Sequence, residues 1–310
     1  MSIKTAQVFD LSFKHIIYEA SSKAIVHLIN GIYKKNYPLD TTVEIWPSEL
    51  IKKHPKTGKL KKIVTDIVVA LDSEVGKDVY LMEAQIDDDV EMSLRVFNYG
   101  VFVALRGKTV SDDGSSMEIT MPSPAVIYWE TSKTKSFLSI TVRFPGNKSV
   151  VYKVPTFKVL QHSVSELGGM VLLLPFYILK IREELKKSGS NSEKRKKLSE
   201  QLDGYVAEIS KVLEASNKNN YITEKDVALL LGRLSDMYSE LYGDYEEFTD
   251  MDARLKKFAD TSWSKAWDAD MAKAEKRGLS QAAKAMKASG DAISKIIHCT
   301  GLSRREIMAL

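Results

Sequence analysis

Residues 63–86 read IVTDIVVALDSEVGKDVYLMEAQI, and their pattern decides the fold. β-Branched and other apolar residues fill both parities of 63–71 and of 79–86, as in strands covered on both faces. Between them the stretch 73–77, with Gly76, suits a tight reversal. Folded about that turn as an antiparallel hairpin, the strands bring Asp66 opposite Glu83 and Val64 opposite Gln85. Glu83 and Gln85 are two residues apart and share a face, and opposed residues share one too, so Asp66, Glu83 and Gln85 converge. Two facing carboxylates in apolar surroundings repel each other and lose hydration, which is costly. Two arrangements relieve this. A divalent cation, Mg²⁺ or Mn²⁺, takes hard oxygen ligands on rigid strands. Alternatively a buried Lys or Arg, such as Lys14 or Arg95, pairs with the carboxylates and no metal is bound.

Outward from this hairpin the periodicity alternates between helix and strand. Phe13, Ile16, Ile17, Ala20, Ala24, Leu28 and Ile32 follow helical spacing and predict one amphipathic helix over 11–35, with Asp10 as its N-cap. Val43, Ile45 and Trp46 mark a short strand. Strands are predicted over 59–71 and 78–86, a helix over 89–106, and short strands over 124–130, 136–144 and 150–155. Turn signals lie at 131–135 and 145–147, and helices dominate from there on. The polar stretch 186–197, KKSGSNSEKRKK, marks a boundary. Ser190 and Glu193 have capping-box spacing and predict a new helix start there. The expected fold is therefore α/β over 1–187, followed by an all-helical C-terminal region over 188–310.

Composition sets wider bounds. The chain has 310 residues, 44% hydrophobic and 28% charged, which is ordinary for a globular protein. One cysteine, Cys299, excludes an internal disulfide framework and fits a reducing compartment. The first ten residues have no apolar run behind a basic start, which argues against a secretory signal. The apolar run 170–181 is short, contains Pro175 and ends in charge, so it reads as buried core rather than a membrane span. The expectation is a cytoplasmic protein with no membrane partner and no small-molecule organic cofactor. The net charge of +4 does not by itself argue for nucleic acid. Its distribution is uneven. Residues 271–310 hold eight Lys/Arg against three acids, a net of +5, and residues 223–252 hold nine acids against two bases, a net of −7. Such a split suggests polyanion contact at one end, or two helical faces of opposite sign that pair with each other.

The residues now on the page resemble a known family. Thr65-Asp66, sixteen residues, then Glu83-Ala84-Gln85 resembles the Asp…Glu-x-Lys core of the PD-(D/E)XK nuclease superfamily. Within it the closer resemblance is to the Rpn-type recombination-promoting nucleases, also labelled putative transposases. Asp10-Leu11-Ser12-Phe13-Lys14 resembles that family's opening Asp-x-x-Phe-Lys. Lys61 and Lys62 before Asp66, Glu83-x-Gln85, and Arg95 with Tyr99 on the following helix resemble its later motifs in order. Thr300-Gly301-Leu302-Ser303-x-x-Glu306-Ile307 resembles its terminal Thr-Gly-Leu-Ser-x-x-x-Ile. The resemblance runs over 10–187 and 278–310; nothing familiar covers 190–270. It departs from the wider superfamily at position 85, where lysine is usual, and so removes a positive charge from the site.

The resemblance implies a restriction-endonuclease-like core, a central mixed sheet flanked by helices. It implies Mg²⁺ or Mn²⁺ held by Asp66, Glu83 and the Ala84 carbonyl, with Asp66, Glu83 and Gln85 catalytic. DNA is the implied partner, hydrolysed at phosphodiester bonds in recombination, mobile-element or defence biology. A homodimer fits as well, because double-strand cleavage by this fold usually needs two active sites. Lys14, Arg95 and Tyr99 are candidates for substrate contact or for support of the metal site; Arg95 and Tyr99 equally suit a helix–sheet packing pair. The tail 291–310 reads as helix, turn, helix, with Ser303 and Glu306 at capping-box spacing. Arg304 and Arg305 in its last helix are candidate DNA contacts, against a packing or protein-interaction role. Glu19 reads as a solvent-facing residue with some prospect of reaching the metal. His15, His27, His54, His162 and His298 lack metal-ligand spacing, and Cys299 reads as a small buried residue. The rival to an active nuclease is a catalytically weak relative that binds DNA or a protein; a third reading is an ion-paired fold with no nucleic-acid role.

Overall fold

The computed structural model describes residues 3–47, 49–53, 60–64, 67–74, 76–86, 89, 91–129, 136–248, 280, 283–284, 286–287, 293–300 and 302–309, with the backbone alone described for 3–8, 49–50, 51–53, 60–64, 294, 298 and 309. The chain divides into two compact units, Met1–Phe258 and Ala259–Leu310.

The first unit is mixed α/β. It opens with α1 (Ile3–Glu19) and α2 (Ser22–Tyr33). The single helix expected over 11–35 is therefore two, and Asp10 lies inside α1 rather than capping it. The break falls at Ser21, which is extended (φ −66°, ψ 154°) and whose Oγ accepts the Ala24 N–H. Then follow β1 (Val43–Trp46), β2 (Glu49–Lys53), β3 (Leu60–Val64), β4 (Ile67–Ser73) and β5 (Gly76–Gln85). The strand expected over 59–71 is thus two strands in two sheets. Among the described residues β3 pairs with β2 alone, so Val64 is partnered by Glu49 and not by Gln85. After β5 come α3 (Met92–Ala104), a small hairpin of β6 (Thr109–Val110) and β7 (Met117–Glu118), then β8 (Ser123–Tyr128), β9 (Phe137–Phe144) and β10 (Lys148–Lys158).

Six strands form one sheet in the order β1-β4-β5-β8-β10-β9. β5, β8 and β10 are mutually parallel neighbours, joined to antiparallel partners on both sides. α3 provides the crossover between parallel β5 and β8, as parallel pairing requires. One face of the sheet packs on α3 through Val68, Leu81, Val126, Tyr128 and Val154 against Met92, Val96 and Val103. The alternate residues Val69, Tyr80, Met82 and Ile127 are buried as well. On that second side Phe13 of α1 meets Trp129, just past β8, with ring centroids 5.2 Å apart, and Trp129 stacks on Phe176 at 4.0 Å. Phe176 belongs to a 3-10 segment, Glu166–Ile181, kinked at Met170 (φ −148°, ψ 50°). It contains the apolar run 170–181, which is buried as expected. α2 crosses it closely: a Cβ on Gly31 would lie 2.2 Å from Met170 Cγ and 2.7 Å from the Gly169 carbonyl oxygen. No helix among the described residues is long and apolar enough to cross a membrane.

α4 (Arg182–Ser188), α5 (Ser192–Lys218) and α6 (Glu224–Tyr242) complete the first unit. The cap of α5 is Asn191, whose side chain accepts the Lys194 N–H at 2.9 Å, rather than the expected Ser190. α5 packs on the 3-10 segment, where Tyr177 meets Tyr205 edge to face at 5.1 Å, and Tyr242 of α6 donates to the Ile178 carbonyl at 2.7 Å. α6 also packs on α1. Its N-terminus is tied to that of α2 by one buried carboxylate. Asp226, 1% exposed, closes a capping box with Thr223 and receives the Ser21 N–H at 2.7 Å and the Ser21 hydroxyl at 2.6 Å.

In the second unit the described elements are α7 (Ile293–Thr300) and α8 (Arg304–Ala309). Ala283, Ile296, Leu302 and Ile307 form its small core. Thr300 Oγ1 donates to the Ile296 carbonyl at 2.7 Å, and the expected box between Ser303 and Glu306 is present, with the Glu306 N–H on Ser303 Oγ at 3.3 Å and the Ser303 hydroxyl on Glu306 at 2.8 Å. Cys299, expected to be buried, is exposed: on an eight-residue amphipathic helix it falls between Ile296 and Thr300 rather than in line with them.

Asp226 serves two helix starts, and its removal strands several buried donors at once. Asp226→Ala should lower unfolding free energy by about 2–4 kcal/mol. Glu19→Ala, which removes a carboxylate 3.9 Å from Lys225 at the exposed surface, should change it by less than about 0.5 kcal/mol. Urea titration of both variants compares them; equal losses would show that the clasp adds nothing beyond a surface ion pair.

Candidate active site

The site is built around β5, whose inner half is buried between β4 and β8. The described pairs run from Ser73↔Gly76 to Ile67↔Met82, the same register that sets Asp66 against Glu83 in the sequence. Asp66 itself lies outside the described residues. On the other side Glu83 pairs with Val126, Ala84 with Ile127 and Gln85 with Tyr128 of β8. Strand alternation puts Val79, Leu81, Glu83 and Gln85 on the α3 side; Val79 and Leu81 pack into the α3 cluster.

Glu83 is 2% exposed, so its carboxylate cannot keep its hydration shell. Arg95, in the first turn of α3, answers it. Arg95 Nη2 donates to Glu83 Oε1 at 3.0 Å, and Nη1 donates to Asp89 Oδ2 at 2.9 Å. The guanidinium is thus held in a fork between two carboxylates, while a third of its side chain stays open to solvent (37%). Partial burial works against the Arg95 charge, but the Tyr99 oxygen, Asp89 and Glu83 outweigh it and hold the pKa above its ordinary value. Asp89 is held below the usual carboxylate range, first by the Glu91 N–H on its Oδ1 at 2.9 Å and then by Arg95. Glu83, Asp89 and Arg95 together carry a net charge of −1.

Of the two arrangements open in the sequence, the Arg95 ion pair with Glu83 is present. Tyr99 sits one turn beyond Arg95 and packs against the α3 cluster. Gln85 ends β5 half-buried, and its carbonyl accepts the Trp129 N–H at 2.9 Å. Ala84 is buried with its side chain on the opposite face. Lys14 donates to Asp10 at 2.9 Å, one turn back on α1. Glu19 is exposed, near Lys225. His27 stacks on Tyr221 and His162 on Phe157. Among the described residues no group of three or more His, Cys, Asp or Glu is placed to hold a metal ion. Arg304 and Arg305 are exposed on the six-residue α8 of the second unit.

Asp89 is the site residue that the sequence reading missed. Its signal was present in the Asp87-Asp88-Asp89 run directly after β5, six residues before Arg95. An open depression lined by Tyr37, Asp40, Asp72 and Asp78 belongs to the other end of β5, roughly 16 Å from Glu83 at the rise of an extended strand.

Comparison with protein-family models, with curated proteins and with solved structures finds no match to this chain.

A double-mutant cycle measures the fork. Arg95→Met should destabilise the protein by about 1–3 kcal/mol, since a charged partner of a buried carboxylate is lost. In a Glu83→Gln background the same change should cost clearly less, leaving a coupling energy of about 1–3 kcal/mol. Strict additivity would mean that the contact contributes no stability.

Proposed function

We propose that this chain is a Mg²⁺-dependent DNA endonuclease with a restriction-endonuclease-like core, in which Asp66 and Glu83, with the Ala84 carbonyl, hold the metal. The observation that carries the reading is a carboxylate buried in the central sheet, Glu83 at 2% exposure, flanked by Gln85 on the same face and by the partly exposed guanidinium of Arg95. The hairpin register, described from Ile67↔Met82 to Ser73↔Gly76, supports it too, because it is the register that the sequence reading of Asp66 and Glu83 assumes. The donor chemistry fits: carboxylate and carbonyl oxygens suit Mg²⁺ or Mn²⁺, and the net −1 of the Glu83–Asp89–Arg95 group favours a cation. Bound there, the metal would supply a water of lowered pKa and a sink for charge on the scissile phosphate. Gln85, neutral, orients a water or a phosphate oxygen by hydrogen bonding. Arg95, partly exposed beside Glu83, is the cation nearest the site to contact the phosphate, a ligand that a guanidinium favours.

A second reading rests on one specific contact. Arg95 already matches the charge of Glu83, so the chain also suits a catalytically weak member of the same fold that binds DNA or a protein. The two readings part in a plasmid-cleavage assay with Mg²⁺, alongside salt-dependent DNA binding in EDTA.

On the nuclease reading Asp66→Ala and Glu83→Ala each abolish metal-dependent cleavage while the protein stays folded. Mg²⁺ should raise the wild-type melting temperature, equivalent to about 2.7 kcal/mol at a hundred times its dissociation constant, and leave Asp66→Ala unmoved. Cleavage by either variant at the wild-type rate removes the assignment.

Gln85 is assigned to positioning, so Gln85→Ala should lower single-turnover cleavage by about 10²-fold with metal affinity unchanged. Calorimetry with Mg²⁺ provides the second readout. Outright loss of metal binding in Gln85→Ala would make the amide oxygen a ligand instead.

A further inference from the structure

The two edges of the main sheet are guarded differently. β1 is four residues long, carries Glu44, and has Arg106 over its Trp46 ring at 5.8 Å, with Arg106 Nη2 donating to the Pro47 carbonyl at 3.1 Å. β9, at the opposite edge, is eight residues long. It pairs with β10 in unbroken register from Phe137↔Pro155 to Phe144↔Lys148, so no bulge twists it away. It holds no proline and one charge, Arg143. Its outer edge has no strand beside it among the described residues. Phe144 and Phe137 are large apolar residues at 52% and 43% exposure. Short length, charged side chains, prolines and bulges are the usual means of keeping an edge from pairing with another chain, and of these β9 has only the single charge of Arg143.

The sequence of this edge points to its occupant. Read outward from Thr141, the strand is symmetric in residue class: Ile140 and Val142, then Ser139 and Arg143, then Leu138 and Phe144. A two-fold axis perpendicular to the sheet at Thr141 sets each of these against the other from a second copy, antiparallel, and opposed residues then fall on the same face. Ile140↔Val142 and Leu138↔Phe144 form apolar pairs on the α3 side. Ser139↔Arg143 and Thr141↔Thr141 form polar pairs on the other. No charge meets its like across the axis. An axis one residue earlier, at Ile140, sets Phe144 against Ser136 and leaves its ring without an apolar partner. We propose that β9 pairs with β9 of a second copy of this chain about Thr141, joining the two six-stranded sheets into one. The inference is independent of any nuclease activity.

The full-length chain in a Cys299→Ser background should sediment as a monomer–dimer mixture, the dimer growing toward about 100 µM, since an edge-only contact is smaller than a standard interface. Thr141→Lys, which sets two ammonium groups face to face, should leave a monomer at every concentration with an unchanged melting temperature. Thr141→Cys should form a disulfide-linked dimer on mild oxidation, because opposed strand residues lie within disulfide reach. Ser139→Cys, whose own copy is four residues away along the strand, should not. A wild-type chain that stays monomeric overturns the proposal, including one that captures a strand from a different protein. So does a dimer that survives Thr141→Lys, or one in which Ser139→Cys cross-links and Thr141→Cys does not.

Discussion

The burial of β5 on both faces is the constraint from which the rest follows. Residues on its α3 side pack with Leu81, and residues on its other side pack with Met82, so no position in its inner half reaches water freely. Glu83 sits in that stretch with an ionisable side chain. A carboxylate there must have a partner, and this fixes where α3 begins. The helix starts so that Arg95, in its first turn, lies over the end of β5. Asp89 then holds the other arm of the guanidinium from the segment that joins strand to helix. A planar fork with two anchors has little rotational freedom, so the charge beside Glu83 is well placed as well as present. Packing, connection and site are here one arrangement.

A second buried carboxylate organises the layer on the far side of the sheet. Asp226 caps its own helix and takes both donors of Ser21, where α1 and α2 part. The break at Ser21 is thereby stabilised from a residue 205 positions away. Gly31 lets α2 come against the 3-10 segment at a distance no side chain would permit, and α5 and α6 cover that segment's outer side. α5 and α6 thus extend the packing that shields β5, although they carry none of the proposed site.

The sequence made the hairpin legible because two signals agreed, apolar residues at both parities and a glycine in the turn, although pairing continues to Ser73↔Gly76, inside the turn read over 73–77. The pairing from Ile67↔Met82 to Ser73↔Gly76 is the outcome. Arg95 was legible as one of two relief routes for a buried carboxylate. Other features were hidden for physical reasons. The split of 59–71 into β3 and β4 is hidden because apolar residues lie on both sides of it, Ile63 and Val64 ending β3 and Ile67 and Val68 opening β4. The break at Ser21 is invisible to periodicity, because the apolar spacing runs through it and the residue that stabilises the break lies on α6. Asp89 read as the start of a helix; its side chain belongs to Arg95, a tertiary contact that local spacing does not encode. Asp66 falls between β3 and β4, outside the described residues, so its pairing stands as a sequence inference.

The placement of positive charge ties these observations to the proposed chemistry. On the proposed nuclease reading, position 85 is where the wider nuclease superfamily usually has lysine, and here there is glutamine. A strand-borne ammonium would sit beside a carboxylate that is nearly inaccessible to water, on the same face and two residues away. Among the described residues a cationic group beside Glu83 comes from α3, as a guanidinium shared with Asp89. The exchange has a consequence for any metal at Glu83. An ammonium at position 85 would add a second cation on the face of Glu83, whereas Arg95 is already shared between Glu83 and Asp89 and stays partly exposed. On the proposed reading Glu83 would hold the metal, Asp89 would keep the Arg95 guanidinium close by, and the neutral amide of Gln85 would add no repulsion. A lysine placed at 85 beside the existing Arg95 would crowd two cations around one buried carboxylate, and metal binding would have to overcome both.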